Sequence, residues 1–241
     1  MTSSHFFIKK KDLCFPRAFL EGDEHHHLCR VLRVRPGTRI SLFDEDGRRY
    51  RAVVERPEKD RTVLQIEGAE DGVRAGTRIA LAQSLLKARA MEDVIRRATE
   101  LGAAALIPVR ARRSVARIEG EAGKKVERWR RIALEAAKQC KISYPPDILP
   151  VSTPAQLAKE RQDELKLLLS ENGGRPLGDF LLRDGPKAVL LAVGPEGGWE
   201  PEEESLFLGR GFEAVSLGRY VLRAETAALA GLALISHFWD R

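Results

Sequence analysis

Cysteine is scarce in this chain of 241 residues: Cys14, Cys29 and Cys140 stand far apart and are odd in number. That excludes a disulfide framework and offers no paired spacing for zinc, so buried thiols are the expectation. Aromatic residues make up only 6%, which leaves aliphatic side chains to build the core. No apolar run approaches the roughly 20 residues that a membrane-spanning helix needs. The start, Met1 to Lys11, is polar and basic and lacks the apolar stretch of a signal peptide. Together these absences lead to the expectation of a cytoplasmic protein.

Hydrophobic residues at 43% and charged residues at 32% give the balance of a globular chain with a real core. The length suits a small domain followed by a medium one. The formal charge is +6, and its placement is informative. Between Pro108 and Arg131 nine basic residues stand against three acids, so this segment alone carries the net charge of the whole chain. Such a segment is either a polyanion-binding face or a solvated helix face.

Hydrophobic patterning divides the chain. Thr38 to Phe43, Tyr50 to Glu55 and Thr62 to Ile66 read as short strands separated by the turn-formers Asp44 to Gly47 and Pro57 to Asp60. Gly68 to Gly76 concentrates glycine and charge and marks a linker. Beyond it strands and helices alternate: strand Ile79 to Gln83, helix Ala88 to Leu101 with Gly102 at its cap, strand Ala104 to Val109, then helix Val126 to Cys140 ended by Pro145 and Pro146. The runs Leu165 to Leu169 and Ala188 to Val193 lack alternation, as strands covered on both faces do. The fold class is therefore α/β with a parallel sheet, preceded by a small β domain, with boundaries at residues 1–70 and 77–241.

In open α/β sheets ligands bind beyond the carboxyl ends of strands. The loop after Ala188 to Val193 reads Gly194-Pro195-Glu196-Gly197-Gly198. It is either a tight turn or a ligand cradle, and it lacks the lysine and hydroxyl of a phosphate-binding loop. Glu196 disfavours phosphate but suits a ligand carrying an amine and a sulfonium. The following helix opens with Pro201 and the acids Glu202, Glu203 and Glu204, read as structural partners of the helix dipole. Leu217 to Ala227 reads as a strand-like segment entering a last helix that is apolar nearly all round. Such a helix is buried on several sides, within one subunit or against a second.

In their order and spacing, His25-His26-His27-Leu28-Cys29-Arg30-Val31-Leu32-Arg33 with Gly37, Ala98 to Gly102, Glu135 to Cys140, Gly194 to Gly198 and Leu217 to Ala227 resemble one family. It is that of the bacterial 16S ribosomal RNA uridine-N3 methyltransferases of the RsmE type, in the SPOUT or trefoil-knot superfamily. The resemblance runs along nearly the whole chain. It implies a PUA-like β-barrel domain for RNA and a knotted catalytic domain that binds S-adenosylmethionine, working as a homodimer on the 30S particle. The implied cofactor residues are Leu169, Ser170 and Glu171; Val193, Gly194, Pro195, Glu196, Gly197 and Gly198; and Leu217, Gly218, Val221, Leu222, Thr226 and Ala227. His25, Arg30 and Arg33 would face RNA in the first domain, with Arg110, Arg112 and Arg113 in the second. Two positions depart from the family pattern. Lys141-Ile142-Ser143 follows Gln139-Cys140 where arginine is frequent, and Glu200 stands where a capping serine is common, which leaves that helix start less well satisfied.

Methylation at uridine N3 requires loss of the N3 proton, with charge spreading onto the flanking carbonyl oxygens. Arg223 is the candidate cation for those oxygens, or else the ion-pair partner of Glu225. Glu196 or Glu225 is the candidate base. Adjacent histidines on a strand point to opposite faces, so no metal site is expected at His25 to His27. The competing readings are an RNA-binding ribosome-assembly factor without catalysis, and a SPOUT enzyme with another RNA target.

Overall fold

The computed structural model describes residues 5–73, 76–115 and 120–239. Arg117 of the basic segment and residues 74 and 75 of the expected linker lie outside them. The chain divides into two compact units, one made of Met1–Arg74 with Ala137–Tyr144 and the other of Ala75–Ala136 with Pro145–Arg241.

The first unit contains β1 (His5–Phe7), β2 (Leu13–Cys14), β3 (Arg17–Glu21), α1 (Gly22–His26), β4 (Arg39–Phe43), β5 (Arg49–Pro57) and β6 (Arg61–Glu70). The strands form one sheet in the order β1-β4-β5-β6-β3-β2, antiparallel except for the parallel pair β1 and β4. Alternate residues supply the core, with Ile40 and Leu42, Tyr50, Ala52 and Val54, and Leu64 and Ile66 packing on Phe6, Leu20 and Leu28. The turn between β4 and β5 is organised by buried Asp44. Its Oδ1 accepts the N–H groups of Asp46 (2.9 Å) and Arg48 (3.0 Å), and its Oδ2 accepts the Tyr50 hydroxyl at 2.7 Å. Burial and that bond to Asp44 push the Tyr50 phenol above its ordinary pKa.

Three expectations are corrected here. The histidines lie not on a strand but on α1 and the widened helical turn His27–Val31 that continues it. Strand β6 runs on to Glu70 and takes up the first residues of the expected linker. None of the thiols is fully buried: Cys14 and Cys140 are exposed and Cys29 is half-buried.

The segment Ala137–Tyr144 joins the first unit through specific bonds. Lys138 Nζ donates to Glu24 Oε1 at 2.7 Å, both side chains being largely covered. Arg49 donates to Ser143 Oγ (2.7 Å) and to the Lys141 carbonyl (3.0 Å). Lys141, at the departure after Gln139-Cys140, adopts a left-handed φ of 61° and ends the helix. Its backbone thus has a structural task.

The second unit contains β7 (Arg78–Ser84), α2 (Ala88–Glu100), β8 (Ala105–Val109), α3 (Ala122–Cys140), β9 (Asp147–Ile148), α4 (Pro154–Glu160), β10 (Leu165–Leu169), β11 (Arg175–Pro176), α5 (Leu177–Leu181), β12 (Ala188–Val193), α6 (Pro201–Leu208), β13 (Glu213–Ser216) and α7 (Ala224–Trp239). Helix α3 leaves this unit over its last turn. The seven strands are all parallel, in the order β11-β13-β10-β12-β7-β8-β9. Both faces are covered. Ile79, Leu81, Val189, Leu191 and Val193 point to one face with α2, α5 and α7, whereas Ala80, Ala82, Leu190 and Ala192 point to the other with α4 and α6. Burial on both sides is why β12 reads as an unbroken apolar run and why β10, apart from Lys166, is apolar without alternation.

Strand β13 ends at Ser216, so the expected strand-like character of Leu217 to Arg223 is corrected to an irregular loop. Helix α7 buries Ala224, Ala228, Gly231, Leu232, Ile235 and Trp239, while Leu234 and Phe238 on its other side are exposed. No helix among the described residues is long and apolar enough to cross a membrane.

Candidate active site

The central strands end level with one another, since Leu169 of β10 pairs in register with both Val193 of β12 and Val215 of β13. Three loops therefore leave the sheet side by side, at residues 170–174, 194–200 and 217–223. They surround a cleft of about 820 Å³, within the range of small-molecule and cofactor sites. Leu169, Ser170, Glu171, Val193 to Gly198, Leu217, Gly218, Val221, Leu222 and Ala227 all line it, as do Arg223, Glu225 and Glu196. Thr226 does not, although its neighbours on α7 do.

The glycines of the central turn have separate reasons. Gly198 adopts φ +69°, and a Cβ there would sit 3.2 Å from Glu171 Oε1. Gly197 has no such dihedral; a Cβ there would press on the stem of Arg113 at 3.3 Å. The turn closes through the Gly198 N–H, which donates to the Pro195 carbonyl at 2.9 Å.

Helix α6 anchors two of the loops. Glu204 accepts from Ser170 Oγ and, at 2.9 Å, from Asn172 Nδ2. Buried Glu203 accepts the backbone N–H of Glu200 at 3.1 Å and that of Arg112 at 2.9 Å. The helix start is therefore satisfied from Glu203, and the expectation of a weaker cap at Glu200 is corrected. The Glu200 carboxylate receives Arg113 in a two-bond pair, at 2.9 and 3.1 Å.

At the start of α7, the Arg223 carbonyl accepts the Ala227 N–H at 2.8 Å and opens the helix. Among the described residues no ion pair joins Arg223 to Glu225. Both side chains border the cleft.

The residues expected to face RNA are differently engaged. Arg30, Arg33 and Arg110 are exposed. His25 turns inward, its Nδ1 2.8 Å from Thr62 Oγ1 and 3.6 Å from Cys29 Sγ. Arg112 pairs with Glu202 at 3.4 Å. Arg113 borders the cleft and is held by Glu200 and the Gly197 carbonyl. Lys87, at the start of α2, also lines the cleft and was not singled out from sequence, because its neighbours there are far along the chain.

The chemistry of the cleft fits a methyl donor of the S-adenosylmethionine type. Leu169, Val193 and Leu217 offer an apolar floor, the glycine turn leaves the backbone open to a ligand, and the carboxylates of Glu171, Glu196 and Glu225 border the same cleft, where they would suit a cationic portion. Among the described residues no three His, Cys, Asp or Glu side chains gather as metal ligands.

Comparison with known proteins agrees in both units. The RNA methyltransferase domain family matches residues 73–236, and the RNA methyltransferase PUA domain family matches residues 20–67. The chain is 32% identical to the ribosomal RNA small subunit methyltransferase E of Bacillus subtilis (strain 168) over 231 residues, which is 92% of this chain and 90% of that protein. It is similar in structure to the ribosomal RNA small subunit methyltransferase E of Neisseria gonorrhoeae bound to S-adenosyl methionine, with a TM-score of 0.89, 32% identity and 98% of each chain covered. A methyltransferase from Legionella pneumophila in complex with bound SAM aligns with a TM-score of 0.90, at 30% identity and 98% coverage of each chain.

Proposed function

The chain belongs to the ribosomal RNA small subunit methyltransferase E family, within the RNA methyltransferases that carry a PUA domain, and from that premise we propose that its S-adenosylmethionine-dependent activity methylates N3 of one uridine in 16S ribosomal RNA. The observation that carries the reading is the convergence of three loops, one of them the glycine turn, on a single cleft at the carboxyl ends of β10, β12 and β13.

The donor supplies an electrophilic methyl group when bound. Leu169 and Ser170 to Glu171, Val193 to Gly198, and Leu217 to Leu222 hold it, largely through backbone groups. Arg223 stabilises negative charge on the uridine carbonyl oxygens as the N3 proton leaves. Glu196 or Glu225 accepts that proton. The base must be unpaired or flipped out, because Watson–Crick pairing hides N3.

Arg30, Arg33 and Arg110 contribute phosphate contacts, consistent with their exposure. The assembled 30S particle is the substrate. A second copy of the chain covers the apolar residues left exposed in the catalytic unit, where Tyr220 is 77% and Val221 72% exposed beside the cleft. Titration calorimetry with S-adenosylmethionine tests the donor site, and absence of uptake refutes the enzyme reading. Methyl transfer to 30S particles, free 16S RNA and transfer RNA then ranks substrates; labelling of transfer RNA alone would overturn the target.

A further inference from the structure

We propose that Arg113, at the border of the cleft, is a positioning residue for the donor site that braces the Gly194–Gly198 turn. The inference rests on the donor reading of the cleft. Arg113 belongs by sequence to the basic segment, where a phosphate contact is the obvious role. Its guanidinium is already committed: Nη1 donates to the Gly197 carbonyl at 2.9 Å, and Nε and Nη2 donate to the two oxygens of Glu200. A guanidinium forked onto a carboxylate is the stronger class of charged pair, with geometry as well as charge to lose.

The aliphatic stem is committed as well. Arg113 Cβ and Cδ lie 3.3 and 3.4 Å from where a Gly197 side chain would begin. Gly197 has no left-handed dihedral, so its lack of a side chain serves this contact. Arg113 thus seats on the turn by packing, grips its carbonyl, and ties it to Glu200 at the start of α6. The preceding residue repeats the connection, because the Arg112 N–H donates to buried Glu203 on the same helix. The turn has one short backbone bond of its own, Gly198 to Pro195. A strut that fixes Gly197 therefore limits which way the peptide groups of the turn face, and those groups are what a donor ligand meets.

Two readouts separate this from a phosphate contact. The full chain is titrated calorimetrically with S-adenosylmethionine as wild type, Arg113→Lys, Arg113→Ala, Glu200→Gln and Gly197→Ala, and each protein is titrated with 30S particles over a range of salt. Loss of one two-bond exposed pair and one carbonyl bond should weaken donor binding roughly tenfold in Arg113→Ala. Arg113→Lys should recover only part, since a single ammonium cannot span both partners. Gly197→Ala, which unseats the stem, should weaken it too, and Arg113→Ala combined with Glu200→Gln should lose less than the product of the single losses. In steady state the KM for donor should rise by a larger factor than kcat falls.

Unchanged donor affinity in Arg113→Ala would overturn the proposal. So would a weakened 30S complex with a salt slope lower by about one and donor binding intact, the signature of a phosphate contact. Thermal unfolding without donor identifies any variant that fails to fold, and Glu200→Gln and Gly197→Ala then decide, normal donor binding in both refuting the brace. A wild-type chain that takes up no donor would defeat the underlying reading instead, a result distinct from these.

Discussion

Gly198→Ala tests the donor turn with an internal control. Gly198 sits at φ +69° and Gly102, at the end of α2, at φ +79°. An alanine held in the left-handed region costs about 1–2 kcal/mol, offset by roughly 0.4–1 kcal/mol because it also restricts the unfolded chain. A net loss of about 1 kcal/mol is therefore expected at both positions. Their surroundings differ. A Cβ at Gly102 meets nothing within 4 Å, whereas one at Gly198 comes 3.2 Å from Glu171 Oε1, at the movable end of a side chain on the cleft wall. Both variants should lower the thermal midpoint by about 2–4 °C, the shift for 1 kcal/mol in a chain of this size. Only Gly198→Ala should weaken S-adenosylmethionine, by roughly tenfold, because the strained turn relaxes by rotating the peptide groups that face the ligand. Differential scanning fluorimetry and titration calorimetry on the two proteins make the comparison. Equal donor affinity in both would refute the claim that the dihedral of the turn is part of the binding site.

Other outcomes follow from the same geometry. Arg223→Ala should reduce kcat by roughly a hundredfold while donor affinity changes little, as for loss of one transition-state donor; equal loss of both would remove Arg223 from the chemistry. Tyr50→Phe should destabilise the N-terminal unit by about 1–2 kcal/mol in denaturant unfolding, because Asp44 Oδ2 loses its buried donor; an unchanged midpoint would contradict this. His5 is held at a pKa of about 4 by burial first and then by the charges of Arg49 and Lys141. Its folded value lies below the unfolded one near 6.5, so the unfolded chain binds the extra proton; stability from this group is complete above about pH 6.5 and is lost as pH falls toward 4. The loss is on the order of 3 kcal/mol, and His5→Gln should flatten the acid side of the stability profile measured by urea unfolding.

What the sequence made legible was periodic or punctuated. The apolar, non-alternating runs of β12 and, apart from Lys166, of β10 announce strands covered on both faces, and both are interior to the parallel sheet. Pro201 and Gly102 mark a helix start and a helix end where the structure has them. Alternation exposes β4 and β5, although β6 extends four residues beyond its apolar part, held by pairing with β5 rather than by its own pattern. The histidine triplet misled because three polar residues carry no period; only the capture of His25 by Thr62, 37 positions away, shows which way the helix faces.

The cleft follows the same division between local and distant information. A glycine-bearing turn is visible in sequence, and a buried strand end announces the edge from which it projects, so most of the residues that line the walls of the cleft could be named in advance, Thr226 being named without lining it. The supports of those walls are charged side chains whose sequence neighbours are also charged: Arg113 among basic residues, Glu203 and Glu204 among acids. Composition makes the first look like an RNA contact and the others like helix-dipole partners. What distinguishes them is a hydrogen-bond partner about 30 to 90 residues away, the side-chain amide N–H of Asn172 for Glu204 and the carboxylate of Glu200 for Arg113. Charge in this chain thus has two situations that sequence alone does not separate: Arg110 is exposed, while its neighbours Arg112 and Arg113 are bonded to Glu203, Glu200 and the Gly197 carbonyl at the wall of the cleft.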